Sequence, residues 1–215
     1  MDLHEIIKAV MPSFVSIRKE IVVLRQNNPE ITPGELAALH LKKTRTKYTS
    51  VGVVSALPGV IPGLGTAAQI AIEAGALSID VLLMLRWMAA LAYGTGLIYG
   101  KDTEHDFENE FTIVLGLWAG VVVPGKAALA KDDKISVNHF DKHITDRIRN
   151  RMNQKIGRKL ATKYGSKRGG VALGTLIPFG IGAAVGGMFN YFTIDKFGKA
   201  AIDYFSKETD YRLTE

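Results

Sequence analysis

The segment VIPGLGTA at Val60–Ala67 has a near match in LIPFGIGAA at Leu176–Ala184. In both segments Ile-Pro stands shortly before a Gly-x-Gly sequence. Each segment lies in a long run without charged residues, at 48–72 and 169–194. Proline removes a backbone hydrogen-bond donor and clashes with the preceding helical turn, so neither run predicts one straight helix. Both segments instead predict a turn that leads into a new helix.

The two predicted helices share more than their entry turns. The triplet Ser78–Asp80 follows the first turn and Thr193–Asp195 follows the second at nearly the same offset, each with a hydroxyl residue, Ile and Asp. Small residues in the first turns allow neighbouring helices to approach closely. The sequence therefore predicts a degenerate internal repeat whose two copies pack together. Its structural turn residues are Pro62, Gly63, Gly65, Pro178, Gly180 and Gly182.

Residues 1–47 predict N-terminal amphipathic helices, because apolar residues recur there at helical spacing. A break is expected near Pro12 and a turn at Asn27–Glu30. The next helix is expected to start with a capping box, in which Thr32 and Glu35 satisfy each other's backbone N–H groups.

An acidic stretch near the middle of the chain predicts a boundary between two helices. Gly100 predicts a helix end, and Thr103 with Asp106 predicts a capping pair for the following helix. That helix is expected to stop at the Pro-Gly pair that begins at Pro124. The predicted fold class is all-α, a helical bundle with two Pro/Gly-rich apolar helix-turn-helix segments, in which 48–215 form one domain after the N-terminal helices.

Acidic residues in the apolar segments predict a polar site. Glu73 and Asp80 are seven residues apart, which places both on one face of a helix. Acids inside a packed apolar structure need partners, which Arg86 or basic residues of the second repeat would supply. The candidate polar site consists of Glu73, Asp80, Arg86 and Asp195. Two interpretations stay open for it, structural ion pairing and a functional polar site between the repeats.

The segment 142–168 holds ten Lys or Arg residues against one Asp. Two interpretations apply, a solvated helix face beside a core-packing ridge and an amphipathic helix on anionic lipid. The same choice applies to the basic run at Lys42–Lys47. Nucleic acid is not expected as a partner, because no aromatic residues alternate with the basic ones. The candidate lipid contacts recur every four residues: Arg147, Arg151, Lys155, Lys159 and Lys163.

The sequence offers no motif that predicts an enzyme. The chain has no cysteine, which excludes disulfides, cysteine-ligated metals and a cysteine nucleophile. GLGTAA at 63–68 lacks the third glycine and the alternating strands and helices of a dinucleotide site. His139 and His143 have helical spacing for a metal but no third ligand nearby. We therefore predict no catalytic residue, no cofactor and no metal.

Tyr99, Gly100 and Asp102 form a Tyr-Gly-x-Asp motif at the end of a long apolar helix, which follows a Pro/Gly-rich entry turn and precedes an acidic helix start. With the C-terminal segment LIPFGIGAAVGGMFNYFTIDKFGKAAIDYF, this pattern resembles the EcsC protein family over Ser50–Phe205. The resemblance implies a bacterial, hydrophobic, membrane-associated protein that is accessory to an ABC-type transporter. It implies no catalytic residues.

Two functions follow from these patterns. The first is a non-enzymatic accessory or interaction protein on the cytoplasmic side of the bacterial inner membrane, peripheral or re-entrant, which binds anionic lipid. This function agrees with the net charge of +6 and the pI near 9.4, because basic proteins favour anionic surfaces. The second is a cytoplasmic helical protein that binds a lipid-like ligand or a protein partner between the two repeats. The oligomeric state is left open.

Overall fold

The computed structural model describes residues 3–51, 79–124, 150–151, 179–207 and 211–213. Its helices in these ranges include α1 (Leu3–Ala9), α2 (Phe14–Gln26), α3 (Pro33–Val51), α4 (Ile79–Ile98), α5 (Phe107–Ala119) and α6 (Phe179–Ser206). A 3₁₀ turn at Glu104–Asp106 precedes α5. Two three-residue strands, β1 (Val122–Pro124) and β2 (Tyr211–Leu213), pair antiparallel. The structure is mostly helical, which confirms the predicted all-α class, and the small strand pair is an addition to it.

The N-terminal helices begin and end where the sequence predicts. Non-helical residues around Pro12 separate α1 from α2, and a turn follows α2. α3 begins directly after Thr32, whose backbone N–H donates to the Glu35 carboxylate at 2.8 Å. The Glu35 N–H in turn donates to the Thr32 hydroxyl at 3.3 Å. This reciprocal pair is the predicted capping box.

The helices α4 and α5 end in the same way, with a glycine in the left-handed region. Gly100 has a φ of +77° after α4, and Gly120 has a φ of +69° after α5. Each glycine N–H donates to the carbonyl three residues back, and the next N–H donates to the carbonyl five back, as from Lys101 to Gly96 at 2.8 Å. This pattern is the Schellman motif. The predicted helix end at Gly100 is confirmed.

The predicted extent of α5 is wrong. The helix was expected to continue to Pro124, but it ends at Ala119, and Val122–Pro124 form β1. Gly120 adopts the left-handed conformation without steric cost, and the β-branched valines after it favour an extended backbone. The strand is completed by β2, with Val122 opposite Leu213.

The predicted capping pair at the start of α5 is also wrong. Neither Thr103 nor Asp106 forms a side-chain cap hydrogen bond, and the Thr103 side chain is buried. The Asp106 carboxylate accepts a hydrogen bond from the Asn109 amide at 2.5 Å instead. Acidic residues in the first turn, Glu108 and Glu110, still interact favourably with the helix dipole.

The helix α3 runs antiparallel to α4. His40 packs so closely on Gly94 that a methyl group at Gly94 would collide with the imidazole ring. Further along α3, the Tyr48 ring lies 6.2 Å from the Trp87 ring, between centroids. Later residues of α3 therefore lie beside earlier residues of α4, as expected for antiparallel helices.

The helix α3 is also antiparallel to α6. Leu41 fills the space in which a side chain at Gly198 would have to lie. One helical turn later, Arg45 of α3 pairs with Asp195 of α6. Helices α3, α4 and α6 thus form the centre of the fold, with a close glycine contact on each side of α3.

Aromatic rings connect the outer helices to this centre. Phe14 of α2 lies edge-on to Tyr93 of α4 and to Phe107 of α5, with centroids 4.7 and 5.3 Å apart. Phe111 of α5 meets Phe197 of α6 at 6.0 Å. Such pairs contribute about 0.5–1.5 kcal/mol each beyond the burial of their surface. The N-terminal helices therefore share one core with the later helices.

The predicted boundary between residues 47 and 48 falls inside α3, which is continuous across it. The functional division of the chain at this boundary stays a prediction. Gly180 and Gly182 were predicted as turn residues, but they lie in the first turn of α6 and are helical. The other predicted turn residues before the two repeat helices lie outside the described residues: Pro62, Gly63, Gly65 and Pro178.

Candidate functional site

The structure describes part of the predicted polar site. Asp195 lies in α6, and its carboxylate contacts are defined. Arg86 is a half-buried residue of α4. Asp80 is the second residue of α4, with its side chain outside the described part, and Glu73 lies outside the described residues. The grouping of all four as one site therefore stays a prediction.

Asp195 binds two cations on different helices. Its carboxylate lies 2.6 Å from Nη1 of Arg45 in α3 and 2.7 Å from Nζ of Lys199 in α6. Hydrogen bonds from Lys199 and then from Arg45 hold the pKa of Asp195 below its usual range. The Arg45 guanidinium also lies over the Tyr191 ring, 4.0 Å from its centroid, at a distance typical of cation–π contacts. We call the α3–α6 contact the Arg45–Asp195 clamp.

Another side of α3 presents exposed lysines. Lys47 Nζ pairs with Glu20 Oε1 of α2 at 2.7 Å, and both groups face solvent. Lys42 and Lys43 are exposed, and neither has an ion-pair partner among the described residues. This stretch of α3 therefore carries uncompensated positive charge.

These lysines border a groove of about 870 Å³ between α2, α3 and α4. Leu39 and Trp87 are half-buried and supply apolar walls. Thr46 lies between the lysines, and its hydroxyl donates to the Lys42 carbonyl at 3.0 Å. We call this space the lysine groove. Its lining residues in the described part of the chain are Glu20, Leu39, Lys42, Lys43, Thr46, Lys47 and Trp87.

Aromatic side chains lie at the same level of the bundle as the basic ones. Trp87 lies beside Tyr48 of α3, and Tyr191 lies against Arg45. Tyr191 and Phe192 expose 38% and 55% of their surface. We call this set of residues the basic–aromatic belt. Its members are Lys42, Lys43, Arg45, Lys47, Trp87, Tyr191 and Phe192.

The belt lies between two parts of the bundle with different charge. On one side, the central helices contain no charged residue at 48–51, 81–85 and 179–190. On the other side, α4 leads into 102–110, which holds five acidic residues and no Lys or Arg. Among the described helices, none combines the length and the apolar composition needed to cross a membrane.

Asp102 of the Tyr-Gly-x-Asp motif joins α2 to the end of α4. Arg18 of α2 donates to Asp102 Oδ2 at 2.7 Å and also pairs with Glu104. The buried Tyr93 hydroxyl donates to Asp102 Oδ1 at 3.0 Å. Burial, followed by this hydrogen bond, raises the pKa of Tyr93 to about 12. We call this contact the Arg18–Asp102 contact.

Of the predicted basic stripe, the structure describes Arg151, which is half-buried and helical. The other four candidate lipid contacts lie outside the described residues: Arg147, Lys155, Lys159 and Lys163. Their contact with anionic lipid stays a prediction.

His40 is a buried titratable residue that the sequence did not single out. The residue is 4% exposed, and neither ring nitrogen has a hydrogen-bond partner among the described residues. Burial lowers the pKa of His40 to about 4, against a raising effect of the Glu20 charge. The neutral ring therefore serves as an apolar packing group against Gly94.

The sequence interpretation missed the separate role of Arg45 within the basic run. Leu41 precedes Arg45 by four residues, so both lie on the same face of α3, and Leu41 is buried. Helical spacing from the apolar residues was therefore a signal that Arg45 faces the core. No local signal identified Trp87, because its role depends on α3 packing beside it.

Neither a metal site among the described residues nor a known protein assigns a function to this arrangement. No group of three or more His, Asp or Glu side chains in the described ranges is placed to hold a metal ion. Neither the models of known protein families, nor the curated proteins, nor the solved structures match this chain.

Proposed function

We propose that this chain is a non-enzymatic accessory protein that associates with an anionic membrane surface through its basic–aromatic belt. The observation that carries the proposal is the position of the belt between the acidic residues 102–110 and the uncharged parts of the central helices. Lys and Arg side chains are attracted to anionic lipid headgroups, and Trp and Tyr favour the interface between water and hydrocarbon. Asp106 in the stretch 102–110 is exposed, and its carboxylate is repelled by the same surface.

The strength of this attraction can be estimated. A basic side chain close to an anionic leaflet contributes about 1 kcal/mol. Lys42 and Lys43 have no competing carboxylate among the described residues, so their charge is available to lipid. The exposed Phe192 would add apolar contact with the interface.

The proposal extends to the transporter, the internal repeat and the basic stripe. The resemblance to the EcsC family supports an accessory role beside a membrane transporter on the cytoplasmic side of a bacterial membrane. Under this proposal the internal repeat packs near the uncharged side of the belt. The stripe from Arg147 to Lys163 then adds further contacts with anionic headgroups.

Sedimentation with lipid vesicles tests the proposal. The full chain is mixed with vesicles of phosphatidylglycerol and phosphatidylcholine, and the bound fraction is measured after centrifugation. Replacing Lys42→Glu and Lys43→Glu together should weaken binding at least about 30-fold, since two contributions of about 1 kcal/mol are lost and two repelled carboxylates are added. Vesicles of phosphatidylcholine alone should bind weakly.

The matched control is Lys19→Glu with Lys101→Glu, which changes the net charge equally. Both lysines are exposed and lie outside the belt. This control should bind anionic vesicles much better than the belt variant. Equal loss in both variants would show attraction to net charge alone and would contradict the proposed role of the belt.

The lysine groove favours a second function, a helical protein that binds a lipid-like ligand without membrane attachment. The groove has apolar walls and a charged border, which is the usual character of small-molecule sites. A protein that stays in the supernatant with both kinds of vesicle, yet binds a dispersed amphiphile, would support this second function.

A further inference from the structure

We propose that the lysine groove binds one anionic lipid molecule, with the lipid phosphate on Lys42 and Lys43 and the acyl chain along Leu39 and Trp87. The inference rests on the proposed function, because it names the lipid group that the belt would hold and the place where it would sit. It differs from attraction to a charged surface in two ways. The groove is one saturable site, and binding requires both the phosphate and the acyl chain of the ligand.

The positive charge of the groove is concentrated on one side. Lys42 and Lys43 are consecutive residues of α3 that both line the groove. Lys47 is compensated by Glu20 at 2.7 Å, so it closes the groove between α2 and α3. Lys42 and Lys43 have no ion-pair partner in the part of the chain that the structure describes, so their ammonium groups provide charge-assisted donors for a phosphate.

The apolar side of the groove explains why the ligand is an amphiphile. Leu39 precedes Lys42 by three residues, so the two lie on neighbouring parts of the same helix face. Trp87 of α4 forms the facing wall, where its ring contacts Tyr48. A free phosphate would leave these walls in water, whereas an acyl chain would cover them.

The size of the groove agrees with such a ligand. Its volume of about 870 Å³ lies in the range of roughly 300–1,000 Å³ that is typical of small-molecule sites.

The Thr46 hydroxyl already donates to the Lys42 carbonyl, so its proton is used within α3. The charged donors that line the groove for a headgroup are the ammonium groups of the lysines.

The fluorescence of Trp87 provides a direct test. In the full chain carrying Trp118→Phe, Trp87 is the remaining tryptophan of the two in the sequence. Lysophosphatidic acid is added below the concentration at which it forms micelles, without vesicles or detergent. We expect a saturable change in Trp87 emission that fits one site per chain.

Two groove variants and one control separate the parts of the proposal. Lys42→Gln with Lys43→Gln should weaken binding at least tenfold, and Leu39→Gln should weaken binding more for long acyl chains than for short ones. Lys19→Gln with Lys101→Gln should leave binding unchanged. Circular dichroism spectra that match the parent protein would show that each variant is folded.

Other probes define the outcomes that overturn the proposal. Inorganic phosphate that competes as well as the lysolipid would show an ion site alone, and lysophosphatidylcholine that binds equally would show a purely apolar site. Either result, or the absence of saturation, overturns the inference. Vesicle binding without saturable lysolipid binding overturns the inference and leaves the proposed function. Saturable lysolipid binding without vesicle binding overturns membrane attachment and leaves the groove.

Discussion

Two arginine–aspartate contacts of the molecule have the same chemistry and different surroundings. In the Arg45–Asp195 clamp, the side chains are 20% and 16% exposed, whereas in the Arg18–Asp102 contact they are 40% and 51% exposed. Water can replace the lost partner of an exposed charge, but it reaches a buried charge poorly. The clamp should therefore determine how α3 and α6 pack, while the exposed contact should contribute little to the stability of the fold.

The largest expected effect on stability comes from the titration of His40. This titration must be distinguished from that of the two aspartates before the two contacts are compared in acid. Burial lowers its pKa from 6.5 to about 4. The unfolded chain therefore binds a proton that the folded protein does not bind in this interval, and stability falls as the pH drops from 6.5 toward 4. The loss corresponds to up to about 3 kcal/mol.

Urea unfolding at pH 7 and pH 4.5 measures this effect. His40→Leu should remove most of the pH-dependent loss, although it also changes packing against Gly94 equally at both pH values. A wild-type protein as stable at pH 4.5 as at pH 7 would contradict the buried, neutral state of His40. Both aspartates titrate at lower pH, since their pKa values are lowered.

The second effect tests the clamp itself. Asp195→Asn removes a charge that pairs with the mostly buried Arg45, and we expect a loss of about 2 kcal/mol in the free energy of unfolding, as for a hydrogen bond to a charged group. Lys199→Ala is the matched control, because Lys199 is 70% exposed and should matter much less. Chemical denaturation at pH 7 measures both. Equal losses would show that the carboxylate acts mainly through Lys199.

The smallest effect concerns the exposed contact. Arg18→Ala should lower the unfolding temperature by less than about one third of the change caused by Asp195→Asn. The effect should shrink further in about 0.5 M salt. The screening length is about 10 Å already at roughly 0.1 M, and it is shorter at the higher salt concentration. Thermal unfolding at two salt concentrations measures it. A large, salt-independent loss would mean that Arg18 acts through its stacking on Tyr93 rather than through charge.

The features predicted well were those with local causes. The capping box at Thr32 and Glu35 depends on two residues three positions apart, and the helix end at Gly100 depends on one glycine that adopts a positive φ. Pro12 likewise interrupts its helix through its own ring. Such signals need no knowledge of the tertiary structure.

The features missed depend on distant parts of the chain. The helix α5 was expected to continue to Pro124, whereas it ends before Gly120, and the strand that follows pairs with the distant β2. The lysine groove depends on three helices that meet around α3. The basic run at Lys42–Lys47 predicted a solvated helix face or a lipid contact, but the position of Trp87 across from it follows from packing alone.

The contact between Leu41 and Gly198 restricts how the molecule can move. Because Leu41 occupies the space that the missing side chain of Gly198 leaves, a displacement of α6 along α3 would disrupt this close packing. The clamp one turn away resists the same displacements through charge. We therefore expect α3 and α6 to move together as one rigid unit, so that a displacement of either helix also displaces the other.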